Sequence, residues 1–120
     1  MAPRLQPLPA DEFEAICIRL DEGGSDRADL RAATKHLLAL LVERAPGNAV
    51  EVRVPPYSAV QAVAGTRHTR GTPPAVVELD APTWIALARG RLAWADARAA
   101  GRVRASGERS DLSPHLPLTM

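Results

Sequence analysis

The densest cluster of groups able to do chemistry is GTRHTRGT, residues 65–72, where Arg67, His68 and Arg70 fall close together between glycines and threonines. Two guanidiniums at that spacing can hold a phosphate or carboxylate bidentately. Glycine lets backbone N–H groups approach an anion. The run has no regular phosphate-loop spacing and lies between two strand-like segments. Three readings therefore stand: a solvated hairpin loop whose arginines pair with carboxylates, an anion or partner contact at Arg67, His68 and Arg70, or catalysis on an anionic substrate held there. Acid–base catalysis by His68 needs a nucleophile or carboxylate beside it. No sequence pattern supplies one, and the expectation is a protein that is not an enzyme.

The remaining candidates are weaker. His36 lies inside a helical run next to its apolar stripe and is expected at an interface or on the surface. His115 sits in the proline-rich tail. Three histidines so far apart have no metal-ligand spacing, so no metal is expected, and no motif implies a cofactor. Asp11, Glu12 and Glu14 form an acidic first turn, which suits the helix macrodipole without a catalytic role. Cys17 falls on an apolar helix face and reads as an inert core residue. Ser106 and Ser110 flank Gly107, but the pattern is not a nucleophile elbow.

What must position these groups is a chain of 120 residues, one domain in size. We expect a flexible arm at residues 1–10, where Pro3, Pro7 and Pro9 cluster, and a single domain over 11–120. Apolar residues make up 46%, chiefly Ala, Val and Leu, with Phe13, Tyr57, Trp84 and Trp94 as the aromatics. Small side chains favour a tight core, so any cavity is expected to be small or absent. A net charge of +1 provides no field to draw in nucleic acid. A lone cysteine excludes an intrachain disulfide. No run reaches the roughly 18–20 apolar residues that span a bilayer, and the first residues lack a signal-peptide profile, so a cytoplasmic protein is expected.

Periodicity outlines the elements. Phe13, Ile16, Cys17 and Leu20 recur as an amphipathic helix over 11–20 that stops at Gly23–Gly24. Ser25 or Asp26 can cap a longer helix to about Arg44, with Leu30, Ala33, Leu37, Leu38, Leu40, Leu41 and Ala45 inward. Pro46–Gly47–Asn48 is a turn. Val50, Val52 and Val54 alternate with Glu51 and Arg53, a half-buried strand. Tyr57–Ala64 reads as a second strand, Ala75–Asp80 as a third and Arg102–Ala105 as a fourth. Charged residues on the opposite strand faces make one side of the sheet wet. Glu51 is expected across from Arg102 or Arg104.

The clearest local signals lie in LDAPTWIALARGRLAWADARAAGRVRASG, residues 79–107. Asp80 caps a helix, Pro82 sits in its first turn, and Leu79 with Trp84 forms a hydrophobic staple. Gly90 ends that helix and Gly101 ends a second, over Trp94–Ala100. The fold class is α+β: a mainly antiparallel sheet of four to five strands with helices on one face.

This helix–glycine–helix–glycine–strand unit resembles the sterol carrier protein-2-like family. With RVPPYSAVQAV and RHTRGTPPAVVELD before it, the chain is similar to a short stand-alone actinobacterial branch of sterol carrier family proteins. A related module forms the C-terminal part of mycothiol-dependent maleylpyruvate isomerase-like proteins. The likeness runs from about Val50 to Leu118. It implies helices on one face of the sheet and an apolar tunnel between the layers for lipids or acyl chains. The tunnel-facing positions would be Leu79, Trp84, Leu87, Leu92 and Trp94, with Val103 on the strand beneath. The family tunnel is commonly completed by a C-terminal helix, and here Pro114 and Pro117 leave room for one turn between Asp111 and Leu116. Two functions follow as expectations. One is a non-enzymatic domain binding a lipid or other small apolar or amphipathic ligand. The other is an interaction or scaffold module with a filled core, self-associating as a homodimer through the sheet edge or the second helix.

Overall fold

A computed structural model describes residues 5–65, 75–107 and 110–119, and every structural statement below concerns those residues. Helix α1 is Ala10–Asp21 and turns Phe13, Ile16 and Cys17 inward, the stripe its spacing predicts. Helix α2 is Arg27–Arg44. Of its two candidate caps Asp26 is used, its carboxylate accepting from the N–H groups of Ala28 and Asp29 at 2.7 and 3.4 Å.

Strand β1 is Val50–Val54, β2 is Ser58–Ala62 and β3 is Ala75–Leu79. Helix α3 spans Ala81–Ala88, helix α4 Trp94–Ala99, and strand β4 Val103–Ser106. The strands form one sheet in the order β2-β1-β3-β4. β1 pairs antiparallel with β2, and β3 antiparallel with β4, while the central β1–β3 pair is parallel. The fold is α+β, with a mixed sheet that is antiparallel on both flanks.

That strand order corrects one expected pairing. β3 separates β1 from β4, so Glu51 is registered with Gln61 and Val76, and meets neither Arg102 nor Arg104. Its carboxylate instead accepts from Arg53 on the same strand face at 2.9 Å. Arg104 is registered with Glu78, 3.9 Å away. Alternation alone identifies the wet face; it does not order the strands along it.

The opposite face carries the core. Val50, Val52, Val54, Val77 and Leu79 meet Leu37, Leu38 and Leu41 of α2 and Trp84, Ile85 and Leu87 of α3 in one buried cluster. Helix α2 is the hub, packing on α1, α3 and β2. Being covered on several sides, it buries Thr34, His36 and Ala39 as well as Ala33, Leu37, Leu38 and Leu41 of the expected stripe, while Leu30 and Leu40 are half-buried against the core. His36 is therefore not a surface residue. It is 7% exposed, and its ring stacks on Phe13 with centroids 4.0 Å apart.

β2 stops at Ala62 and does not run on to Ala64 because Val63 adopts φ +68°, a left-handed conformation unusual for a β-branched residue. The turn is tied in place: the Val63 N–H donates to the Ala45 carbonyl at 2.6 Å, and the Val63 carbonyl accepts from Ala49 at 2.9 Å. Gly47 lies so close that a Cβ there would collide with the Val63 carbonyl.

The helix–glycine–helix–glycine–strand unit forms as its residues predict. Asp80 caps α3 by accepting from the Thr83 N–H at 2.8 Å. Gly90 and Gly101 both take positive φ at the helix ends. Beyond β4 the tail makes the single turn expected there, a 3-10 turn at Ser113–His115. It is held from two sides. Arg44 donates to the carbonyls of His115, Pro117 and Leu118, and the N–H groups of Leu118 and Thr119 converge on the Ala88 carbonyl. Leu112 and Leu118 enter the core as a result.

Candidate ligand-binding groove

A groove of about 520 Å³ lies at the β2 end of the molecule. One wall is α2, through Ala39, Val42 and Glu43, and the other is the edge strand, through Ala59, Val60 and Gln61. Pro46, and Leu5 and Gln6 of the N-terminal arm, complete the lining. The wall is built by two periodicities meeting. Ala39, Val42 and Glu43 sit on neighbouring turns of one side of α2, adjacent to the core stripe. Val60 is registered with Val52 and so shares the helix-covered face of the sheet. β2 is an edge strand among the described residues, and Val60 on that face is only half-buried. The groove is half open, mostly apolar in its lining, and carries Gln6, Glu43 and Gln61 as its polar groups.

His36 stands one turn before Ala39 on α2, next to the groove. Its Nδ1 accepts a hydrogen bond from the Leu8 backbone N–H at 2.8 Å, which fixes the residues of the arm against α2. An acceptor at Nδ1 requires the neutral ring with its proton on Nε2. Burial pushes the His36 pKa below the usual histidine value, against an opposing pull from the Glu43 carboxylate.

The six apolar residues expected to face a tunnel lie elsewhere in the fold. Leu79, Trp84, Leu87 and Val103 are buried in the common core, and Leu92 and Trp94 pack against it half-buried. Trp84 is fully enclosed, and its indole N–H donates to the Thr34 carbonyl at 3.3 Å. None of the six lines the groove. Arg67, His68 and Arg70 lie outside the described residues. Cys17 is buried, as its position on the α1 stripe implies, and burial pushes its thiol pKa up. Nearby, Asp21 takes paired hydrogen bonds from both Arg89 and Arg91 at 3.0–3.2 Å. The Arg89 guanidinium foremost holds that carboxyl below the ordinary aspartate range.

The groove residues escape a reading by periodicity for identifiable reasons. Ala39 and Val42 look like ordinary flank positions of a long helix. Val60 sits in the least regular of the strands, and Leu5 sits in a proline-rich arm. The available signal was the excess of apolar residues on α2 over the single stripe its sheet contact needs.

The fold and groove define an α+β domain with an accessible apolar cleft between a helix and a sheet edge. The chain belongs to the family described as bacterial SCP ortholog, whose model matches residues 26–118. The arm and α1 therefore precede the matched region. No curated protein matches the chain.

Proposed function

We propose that this chain is a non-enzymatic carrier-type domain that holds a lipid or other small apolar or amphipathic ligand in the groove between α2 and β2. The observation that carries the reading is the groove itself, about 520 Å³ with a largely apolar wall, in a member of an SCP-like family. That volume lies within the range of roughly 300–1,000 Å³ typical of small-molecule sites. An aliphatic chain would lie along Leu5, Ala39, Val42, Pro46, Ala59 and Val60, with its head group toward Gln6, Glu43 and Gln61. In sequence, Arg67, His68 and Arg70 follow closely on Gln61, and we retain them as the contact for an anionic head. The alternative seat, inside the core among Leu79, Trp84, Leu87, Leu92, Trp94 and Val103, requires the helices to part from the sheet. Cytoplasmic residence belongs to the same proposal. It is supported by the lack, among the described residues, of a helix long and apolar enough to cross a membrane.

Titration with a fluorescent fatty-acyl probe tests this reading. Saturable binding is expected, and Val42→Trp, which fills the groove, should weaken it about tenfold, a loss of about 1.4 kcal/mol. No saturation up to the probe's solubility limit overturns the carrier reading. A second reading, self-association, is favoured by the outer edge of β2, which has no strand partner among the described residues. Light scattering that shows a strict monomer at high concentration removes it.

A further inference from the structure

We propose that the N-terminal segment Leu5–Pro9 is a strap over the groove, fastened by the neutral imidazole of His36, and that proton uptake at His36 unfastens it and opens the groove. This regulation rests on the groove being the ligand site. Three features of the fold place the strap. Leu5 and Gln6 are themselves part of the groove lining, so moving them widens the cleft that Val42 and Val60 also line. Leu8, two residues further on, donates its backbone N–H to His36 Nδ1 at 2.8 Å, a tie between the arm and a side chain of α2. His36, Ala39 and Glu43 follow one another along α2 at i, i+3 and i+7, so the fastening point and the groove wall share a side of one helix.

The chemistry of the fastening is one-sided. A backbone N–H can only donate, and a neutral imidazole can accept it through Nδ1. A protonated imidazole carries hydrogen on both nitrogens, so Leu8 would face donor against donor in a buried site. The ring also lies against Phe13 of α1, where a charge would lose its solvation. Of the elements packed on His36, the arm presents Leu8 and α1 presents Phe13, neither of them charged. The charged group whose field reaches the ring is Glu43, on its own helix and in the groove lining. Glu43 favours the protonated ring, and it offers that ring no replacement for the lost Leu8 bond. The depressed pKa of His36 agrees with a closed strap that selects the neutral form.

As pH falls, the open strap takes up the proton more readily than the closed one, since there His36 no longer holds the Leu8 bond that selects the neutral ring. The closed fraction therefore declines as pH falls through the histidine range.

Amide exchange and methyl exposure, both measured by NMR on the full chain without ligand, test the strap. Between pH 7.5 and 5, Leu8 amide protection, corrected for the intrinsic pH dependence of exchange, should fall about tenfold or more. A soluble paramagnetic agent should relax the Val42 and Val60 methyls more strongly over the same interval. Both changes should follow the titration of the His36 ring protons, while amides in β1 and β3 stay protected. His36→Asn places an acceptor near the position of Nδ1 without a titrating ring, and should hold the strap at both pH values. If that variant does not fold, the wild-type titration decides alone. Leu8 protection that does not change while His36 titrates overturns the proposal, and so does Leu8 release with Val42 and Val60 still covered. The acyl probe separates this outcome from the fate of the carrier reading. A strap that opens with pH in a protein that binds no probe at either pH confirms the strap and removes the lipid.

Discussion

At the residue scale, Thr34 and His36 show how little tolerance α2 has for polar atoms once it is covered on several sides. The Thr34 hydroxyl is fully buried and has no hydrogen-bond partner among the described residues, while its own carbonyl accepts from Trp84. A buried hydroxyl left unpaired costs about 1–3 kcal/mol. Thr34→Val keeps the shape and removes the oxygen, so denaturant unfolding should show stability raised by about 1 kcal/mol. His36 gives the fold a pH dependence of definite sign. Its folded-state pKa is depressed, so as pH falls the unfolded chain binds the proton first, beginning near about 6.5. Stability at pH 7 should thus be constant upward, decline below about 6.5, and level off once pH passes the lowered folded-state value. Asp21, Asp29 and Asp111 also have depressed pKa values, and their contribution disappears at lower pH, as each falls through its own folded-state value. A melting-temperature profile should resolve the two windows, with the upper one missing in His36→Asn.

At the element scale, the C-terminal tail acts as a clamp. Pro114 and Pro117 limit helix to one 3-10 turn, so the tail satisfies its backbone through Arg44 and the end of α3. Arg44 is the last residue of α2, where a cation also complements the helix dipole. Arg44→Ala should cost about 1 kcal/mol, discounted from the usual charged hydrogen bond because the side chain is exposed. Hydrogen exchange should localise the loss, with the Leu118 and Thr119 amides deprotected and those of β1 and β3 unaffected. The tail covers the end of α3 and does not reach the groove lining, so carrier activity should survive in this variant.

At the scale of the whole molecule, the elements were legible because their signals are local. Asp80, Pro82, Gly90 and Gly101 specify where helices start and stop, and Val50, Val52 and Val54 mark a strand by alternation. The positions those elements take relative to each other were not legible to the same degree. Nothing in Glu51 or Arg104 says that β3 lies between them, and nothing in His36 says that an arm residue 28 positions away donates to it. The groove is a product of such relations. It exists because β2 is an edge strand, because α2 has more apolar surface than the sheet covers, and because the arm crosses what remains. The helices and strand that carry the family resemblance, Leu79–Gly107, supply the core behind the groove and none of its lining.

The claim that joins these scales is that an apolar ligand sits between α2 and β2. Backbone amide shifts recorded during titration with a saturating fatty-acyl probe locate it directly. The largest changes should fall at Ala39, Val42, Glu43 and Ala59–Gln61, with the indole N–H of Trp84 unmoved in its bond to Thr34. Shifts concentrated at Trp84, Leu87, Trp94 and Val103 instead, or none at saturation, would contradict the account.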